Sequence, residues 1–132
     1  ELGLRPEHVA FVKQAMAGVT KEGTGRGAFA GAQYTSGGKT GTAQVVAMKQ
    51  NEKYDEAKVA ERLSDHSLYI AFAPVESPRI ALAVVVENGG FGARAAAPIA
   101  RTVLDYFLLG KLPKARAAPA PVVEVQTDAE SD

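Results

Sequence analysis

The chain has 132 residues, of which 46% are apolar and 23% charged, with fifteen basic residues balancing fifteen acidic ones. This is enough for one domain around one core, and it offers no charge excess that would select nucleic acid or an anionic membrane surface as partner. Cysteine is absent, which excludes disulfide and thiolate chemistry, and no stretch approaches the ~18–20 apolar residues of a membrane span.

The start, Glu1-Leu2-Gly3-Leu4-Arg5, carries neither an initiator methionine nor a signal-peptide pattern, and the chain reads as a piece of a longer protein. Pro6 suits the first turn of a helix. Val9, Val12, Met16 and Val19 follow at roughly helical spacing, and Gly18 is a stop signal, so a helix is expected over 6–17. Residues 18–38 are glycine-rich and read as loop. Thr40 to Met48, rich in Thr and Val, reads as a strand. Residues 49–66 are highly charged and read as a solvated connection, with room for a short helix over 56–63.

Leu68, Ile70 and Phe72 alternate with Tyr69, Ala71 and Ala73, the period of a strand. Pro74 to Pro78 reads as a turn, and Ile80 to Val86 is a continuous apolar run, expected to be a strand covered on both faces. So short a connection makes the two strands an antiparallel hairpin, closed by Asn88-Gly89-Gly90. A second helix is expected over 95–109, with Pro98 near its first turn and Gly110 after its end. Ile99, Val103 and Phe107 form a stripe that Leu104 and Leu108 widen, and this stripe is expected to lie on the sheet. Burying each of the three would contribute ~1.5–3 kcal/mol. Residues 113–132, rich in Pro, Ala and acidic side chains, are expected to be a disordered tail, leaving 1–112 as the folded part.

The segment richest in chemistry is Gly37-Gly38-Lys39-Thr40-Gly41-Thr42-Ala43-Gln44. A lysine supplies fixed positive charge, and a glycine lets a ligand lie against the backbone. Strand alternation sets the Thr40 and Thr42 hydroxyls on one side, where they can hold a carboxylate. A free strand edge can pair with an extended peptide. The same residues also occur as ordinary strand residues with no ligand. A phosphate-binding loop ending in Gly38-Lys39-Thr40 would need a glycine where Gln33 stands, and a helix where Ala43-Gln44-Val45-Val46 reads as strand.

Helix, glycine-rich loop, Lys39-Thr40-Gly41-Thr42 strand, hairpin and C-terminal helix, in that order, resemble the end of the serine transpeptidase and β-lactamase-like fold, an α+β architecture with an antiparallel sheet flanked by helices. The Lys-Thr-Gly motif belongs to penicillin-binding proteins and class A β-lactamases. The resemblance is strongest to the elongation-specific branch of the penicillin-binding transpeptidases, the penicillin-binding protein 2 family. Three segments carry it: Lys39 to Val45, Ala60-Glu61-Arg62-Leu63-Ser64-Asp65-His66, and Val86-Glu87-Asn88-Gly89-Gly90. Ala71-Phe72-Ala73-Pro74 fits as well.

The resemblance implies a peptidoglycan D,D-transpeptidase that cross-links stem peptides through a serine acyl-enzyme and is acylated by β-lactams. It implies a catalytic role for Lys39, supplying positive potential and supporting proton transfer. It makes Thr40, Gly41 and Thr42 substrate-binding residues, with Gln44 beside them, and assigns one oxyanion-hole N–H to Thr42. It implies no cofactor and no metal. It also implies a periplasmic domain of an inner-membrane protein, working with an elongation glycosyltransferase and anchored through a segment upstream of Glu1.

The nucleophile is expected upstream too, which would leave this chain inactive by itself. Ser36-Gly37-Gly38-Lys39 fits Ser-x-x-Lys only as a string, because two glycines before a strand do not form the helix that aligns serine with lysine. Ser64-Asp65-His66 imitates the family's second motif but lies on the wrong side of Lys39 in the chain. His66 is expected to orient the long connection. His8 and His66 lie far apart in the chain, without a ligand cluster. The alternatives are a non-catalytic penicillin-recognising or interaction domain of the same fold, and an unrelated small α+β domain. Strands this short of neighbours are expected to be stable only beside the missing N-terminal part or by self-association.

Overall fold

A computed structural model describes residues 3–45 and 64–111. The elements run α1 (Pro6–Lys21), α2 (Arg26–Phe29), β1 (Gly37–Ala43), β2 (His66–Ala73), β3 (Ile80–Val86) and α3 (Ala96–Leu109). The strands form one antiparallel sheet in the order β1-β2-β3. Register runs from Gly37 opposite Phe72 to Ala43 opposite His66, and from Ser67 opposite Val86 to Ala73 opposite Ile80. Helix α1 packs along β1, α3 crosses β2 and β3, and α2 touches both longer helices. This is the expected α+β arrangement. The end of the expected strand at 46–48, the short helix over 56–63 and the tail 113–132 lie outside the described residues.

Gly18 does not stop the first helix, which continues to Lys21. A glycine inside a helix costs about 1 kcal/mol relative to alanine. Here the extra turn gains a tertiary anchor. Thr20 is buried, and its hydroxyl lies 2.6 Å from the Ser36 carbonyl and 3.1 Å from that of Ala17. The helix ends where Glu22 and Gly23 both donate to the Gly18 carbonyl at 3.0 Å. The glycine-rich stretch is also not all loop: α2 lies within it, and β1 begins at Gly37 rather than Thr40. Gly37 and Gly38 are buried because aromatic rings occupy the place of a side chain. A Cβ on Gly37 would meet the Phe72 ring at 2.5 Å, and one on Gly38 would collide with the Tyr69 hydroxyl.

Helix α3 covers the sheet with a different face from the expected one. Ala96, Ala97, Ala100 and Leu104 are fully buried, whereas Ile99, Val103 and Phe107 are 46%, 40% and 49% exposed. Small side chains let the helix axis approach the sheet closely, so Leu104 fills the gap that a larger stripe would have propped open. The approach is fixed at its start by Ser67, fully buried on β2, whose hydroxyl accepts the Ala96 N–H at 3.1 Å. Gly110 closes the helix in the left-handed conformation at φ 66°, as expected. Strand β3 is likewise covered on one face only. Ile80, Leu82, Val84 and Val86 pack towards the core, while Ala81, Ala83 and Val85 face outward.

A polar clip ties the chain leading into β1 to α3. The Tyr34 hydroxyl donates to Asp105 at 2.8 Å, and Arg101 pairs with the same carboxylate at 2.8 Å. Arg101 also donates to the Ala28 and Ala30 carbonyls. Burial and the Asp105 carboxylate hold the Tyr34 hydroxyl well above its ordinary range. Burial opposes the charge on Asp105, but the bonds from Arg101 and Tyr34 outweigh it and keep its pKa low.

The burial pattern makes a direct mutational contrast. Leu104→Ala is expected to lower the unfolding free energy by ~2–5 kcal/mol, while Val103→Ala, on the outward stripe, costs less than about 1 kcal/mol. Denaturant titration of the two variants checks this, and equal losses would contradict the assigned face.

Candidate active site

Lys39, Thr40, Gly41 and Thr42 all lie on β1, and Gln44 follows the strand end as an exposed residue. Antiparallel pairing brings Thr40 opposite Tyr69 and Thr42 opposite Ser67. Those two partners are fully buried, so both threonines belong to the face that α3 covers further along the sheet. Lys39 and Gly41 alternate to the other face, opposite Ile70 and Leu68. The Lys39 ammonium is exposed and donates to the Thr40 carbonyl at 2.7 Å. Among the described residues β1 pairs only with β2, which leaves its second edge open. The strand therefore presents one cation, two hydroxyls and an unpaired backbone edge within a few residues.

Ser36 sits one residue before this strand. It is buried, and its carbonyl accepts the Thr20 hydroxyl. Ser36 and Lys39 flank a strand start rather than sharing one face of a helix.

Tyr69 supports the site from below. It is fully buried, stacks on Phe29 at 5.8 Å between ring centroids, and reaches up between Gly38 and Gly25. Its hydroxyl makes no hydrogen bond with any described residue. Burial pushes its pKa up to about 12. Beside it lies Thr24, which the sequence reading passed over: its hydroxyl oxygen is 3.0 Å from that of Thr40. Sixteen positions separate the two threonines, and no periodicity links them.

The far end of β1 is held by the two other segments that carry the family resemblance. The Asp65 carboxylate accepts the Val45 N–H at 3.3 Å, and its carbonyl accepts the Gly90 N–H at 2.7 Å. His66 Nδ1 accepts the Asn88 N–H at 3.0 Å, and the Asn88 amide donates to the Ser64 carbonyl at 3.1 Å. Ser64-Asp65-His66 is thus a brace between the end of β1 and the turn after β3. His66 orients that turn, while the long connection it was expected to orient lies outside the described residues. Asn88, at φ 53°, makes the turn in the left-handed region that asparagine tolerates. The loop then passes so close to the strand that a Cβ on Gly92 would lie 2.5 Å from the Gly41 carbonyl. No group of three or more His, Asp or Glu able to hold a metal ion occurs among the described residues.

A three-stranded antiparallel sheet flanked by helices is the α+β arrangement of the penicillin-binding transpeptidase fold. The family model for the penicillin binding protein transpeptidase domain matches residues 1–105, and the chain belongs to that family. Within it the similarity runs to penicillin-binding protein 2. The peptidoglycan D,D-transpeptidase MrdA of Haemophilus influenzae is 46% identical over 100 residues, covering 76% of this chain and 15% of the relative. Pseudomonas aeruginosa PBP2, solved in complex with WCK 5153, superposes with a TM-score of 0.60 at 38% identity, over 81% of this chain and 21% of that one. An imipenem acyl-enzyme complex of penicillin-binding protein A from Mycobacterium tuberculosis superposes at 0.56 with 33% identity, over 80% and 20% of the two chains. The chain thus spans a small part of the length of the relatives it matches.

The Tyr69 hydroxyl gives stability a defined pH dependence. Its pKa is about 12 folded, against about 10 for an ordinary tyrosine. Below pH 10 both states keep the proton and the hydroxyl contributes no slope. Above pH 10 only the unfolded chain loses it, so the unfolding free energy falls as pH rises towards 12, by up to about 1.4 kcal/mol per pH unit. Tyr69→Phe is expected to remove that component of the alkaline slope, and to match or exceed the parent at pH 7 because the hydroxyl it deletes is buried without a partner among the described residues. Denaturant titrations at pH 7 and pH 11 read both effects.

Proposed function

We propose that this chain is the C-terminal part of the transpeptidase domain of a peptidoglycan D,D-transpeptidase, and that β1 is its substrate strand. The observation that carries the reading is the open edge of β1 with Lys39, Thr40, Gly41 and Thr42 along it. The reaction would transfer an acyl group. A serine attacks the carbonyl next to a terminal D-alanine, the D-alanine leaves, and an amine of a neighbouring stem peptide resolves the acyl-enzyme. The acyl-enzyme formed by the Mycobacterium tuberculosis relative with imipenem supports the same covalent route for β-lactams.

In this reading the Thr40 and Thr42 hydroxyls donate to the substrate carboxylate. The Lys39 charge supplies positive potential and supports proton transfer. Gly41 leaves space for the substrate backbone, and the Thr42 N–H stabilises the oxyanion. Gln44 borders the same edge. Ser36 does not serve as nucleophile, because its place before a strand gives Lys39 no fixed access to its hydroxyl. The serine comes from the remainder of the domain, and the exposed apolar residues Phe11, Val12, Ile99 and Phe107 are where that remainder packs. No described helix is long and apolar enough to cross a membrane. The reading assigns an inner-membrane anchor, a periplasmic location and an elongation glycosyltransferase partner to the whole protein.

Intact mass after incubation with benzylpenicillin tests this. The 132-residue chain alone is expected to stay unmodified, and the full-length protein to gain one adduct. A stoichiometric adduct at Ser36 of the chain alone, or no adduct on the full-length protein, would overturn the reading. In the full-length protein Thr40→Val or Thr42→Val is expected to slow acylation about ten- to a hundredfold, the loss of one hydrogen bond to a charged group.

A further inference from the structure

We infer that Thr24 is a positioning residue for the carboxylate-binding hydroxyl of Thr40, an assignment that rests on the proposed role of Thr40. A threonine hydroxyl has one proton and two acceptor lone pairs. The Thr24 and Thr40 oxygens are 3.0 Å apart, so one of them donates to the other. When Thr24 donates, the single proton of Thr40 is left to point at the open edge of β1, where an anionic substrate group lies. When Thr24 is removed, the Thr40 proton is free to turn towards any acceptor in reach, including backbone carbonyls.

The structure holds Thr24 in this place from both sides. Gly23 donates to the Gly18 carbonyl at 3.0 Å, Gly25 to the Val19 carbonyl at 2.9 Å, and Arg26 to the Gly23 carbonyl at 3.1 Å. Gly25 is buried, and a Cβ there would lie 2.9 Å from the Tyr69 hydroxyl and 3.2 Å from the Val19 carbonyl. Tyr69 is also the ladder partner of Thr40. One buried ring therefore sets the height of the loop that carries Thr24 and of the strand residue that Thr24 meets. Thr24 is exposed, and the bond its hydroxyl makes among the described residues is to Thr40.

The test compares full-length wild type, Thr24→Val and Thr24→Ser in second-order acylation by benzylpenicillin and by its methyl ester, which lacks the carboxylate charge. Thr24→Val is expected to slow acylation by benzylpenicillin about tenfold, and to change the rate with the ester less than about twofold. Thr24→Ser, which keeps the hydroxyl, is expected to restore the wild-type rate with both. An equal loss with both compounds, or an unchanged rate with benzylpenicillin, overturns the assignment while leaving the transpeptidase reading intact. Failure of the wild type to be acylated overturns that reading, and the role of Thr24 with it.

Discussion

The ring of Tyr69, fully buried in the middle strand, sets the distances on which the rest of the structure depends. Its hydroxyl end meets positions that have given up side-chain volume, while its face stacks on Phe29. Gly38 in β1 and Gly25 in the loop after α1 let the hydroxyl end pass between them, and the alanines of α3 pack in the same core. Leucines at those positions would force the layers apart, and the Lys-Thr-Gly strand would lose its relation to the loop beside it. The hydroxyl forms no bond among the described residues, so there the ring acts through shape. It is a spacer whose cost is one desolvated O–H.

A strand that offers its edge to a ligand must be rigid along its length yet open along that edge. Here rigidity comes from both ends. Thr20 bonds the carbonyl just before β1, and Asp65 bonds the N–H just after it. The loop carrying Gly92 presses on Gly41 from one side. None of these contacts uses the open edge. The Lys39, Thr40 and Thr42 side chains can therefore meet a ligand without first breaking the bonds that hold their backbone, a form of preorganisation.

The apolar residues left outside are as informative as the core. Phe11 and Val12 on α1, and Ile99, Val103 and Phe107 on α3, form exposed stripes on two separate helices, and Val85 lies on the open face of β3. A fold with this much apolar surface uncovered suits a chain that spans a small part of the length of its relatives.

Some features were fixed by local chemistry and so were legible in the residues themselves. Period-two alternation marked β2, a continuous apolar run marked β3, Pro98 and Gly110 bracketed α3, and the Lys39-Thr40-Gly41-Thr42 string marked the edge strand. Tertiary structure decided whatever depended on a distant partner. Gly18 stayed helical because Thr20 found the Ser36 carbonyl, a bond no local propensity anticipates. Helix α3 turned its alanines and Leu104 inward, because close approach to a sheet rewards small residues while a hydrophobicity pattern favours large ones. Thr24 met Thr40, and Asp65 and His66 met Val45, Asn88 and Gly90, only once the sheet had brought their segments together. The sequence by itself determined which residues offer charge and hydroxyls along β1, since these are properties of single side chains. Tertiary structure decided which neighbours hold those side chains in place, since a hydrogen bond between segments far apart in the chain exists only after the backbone between them has folded.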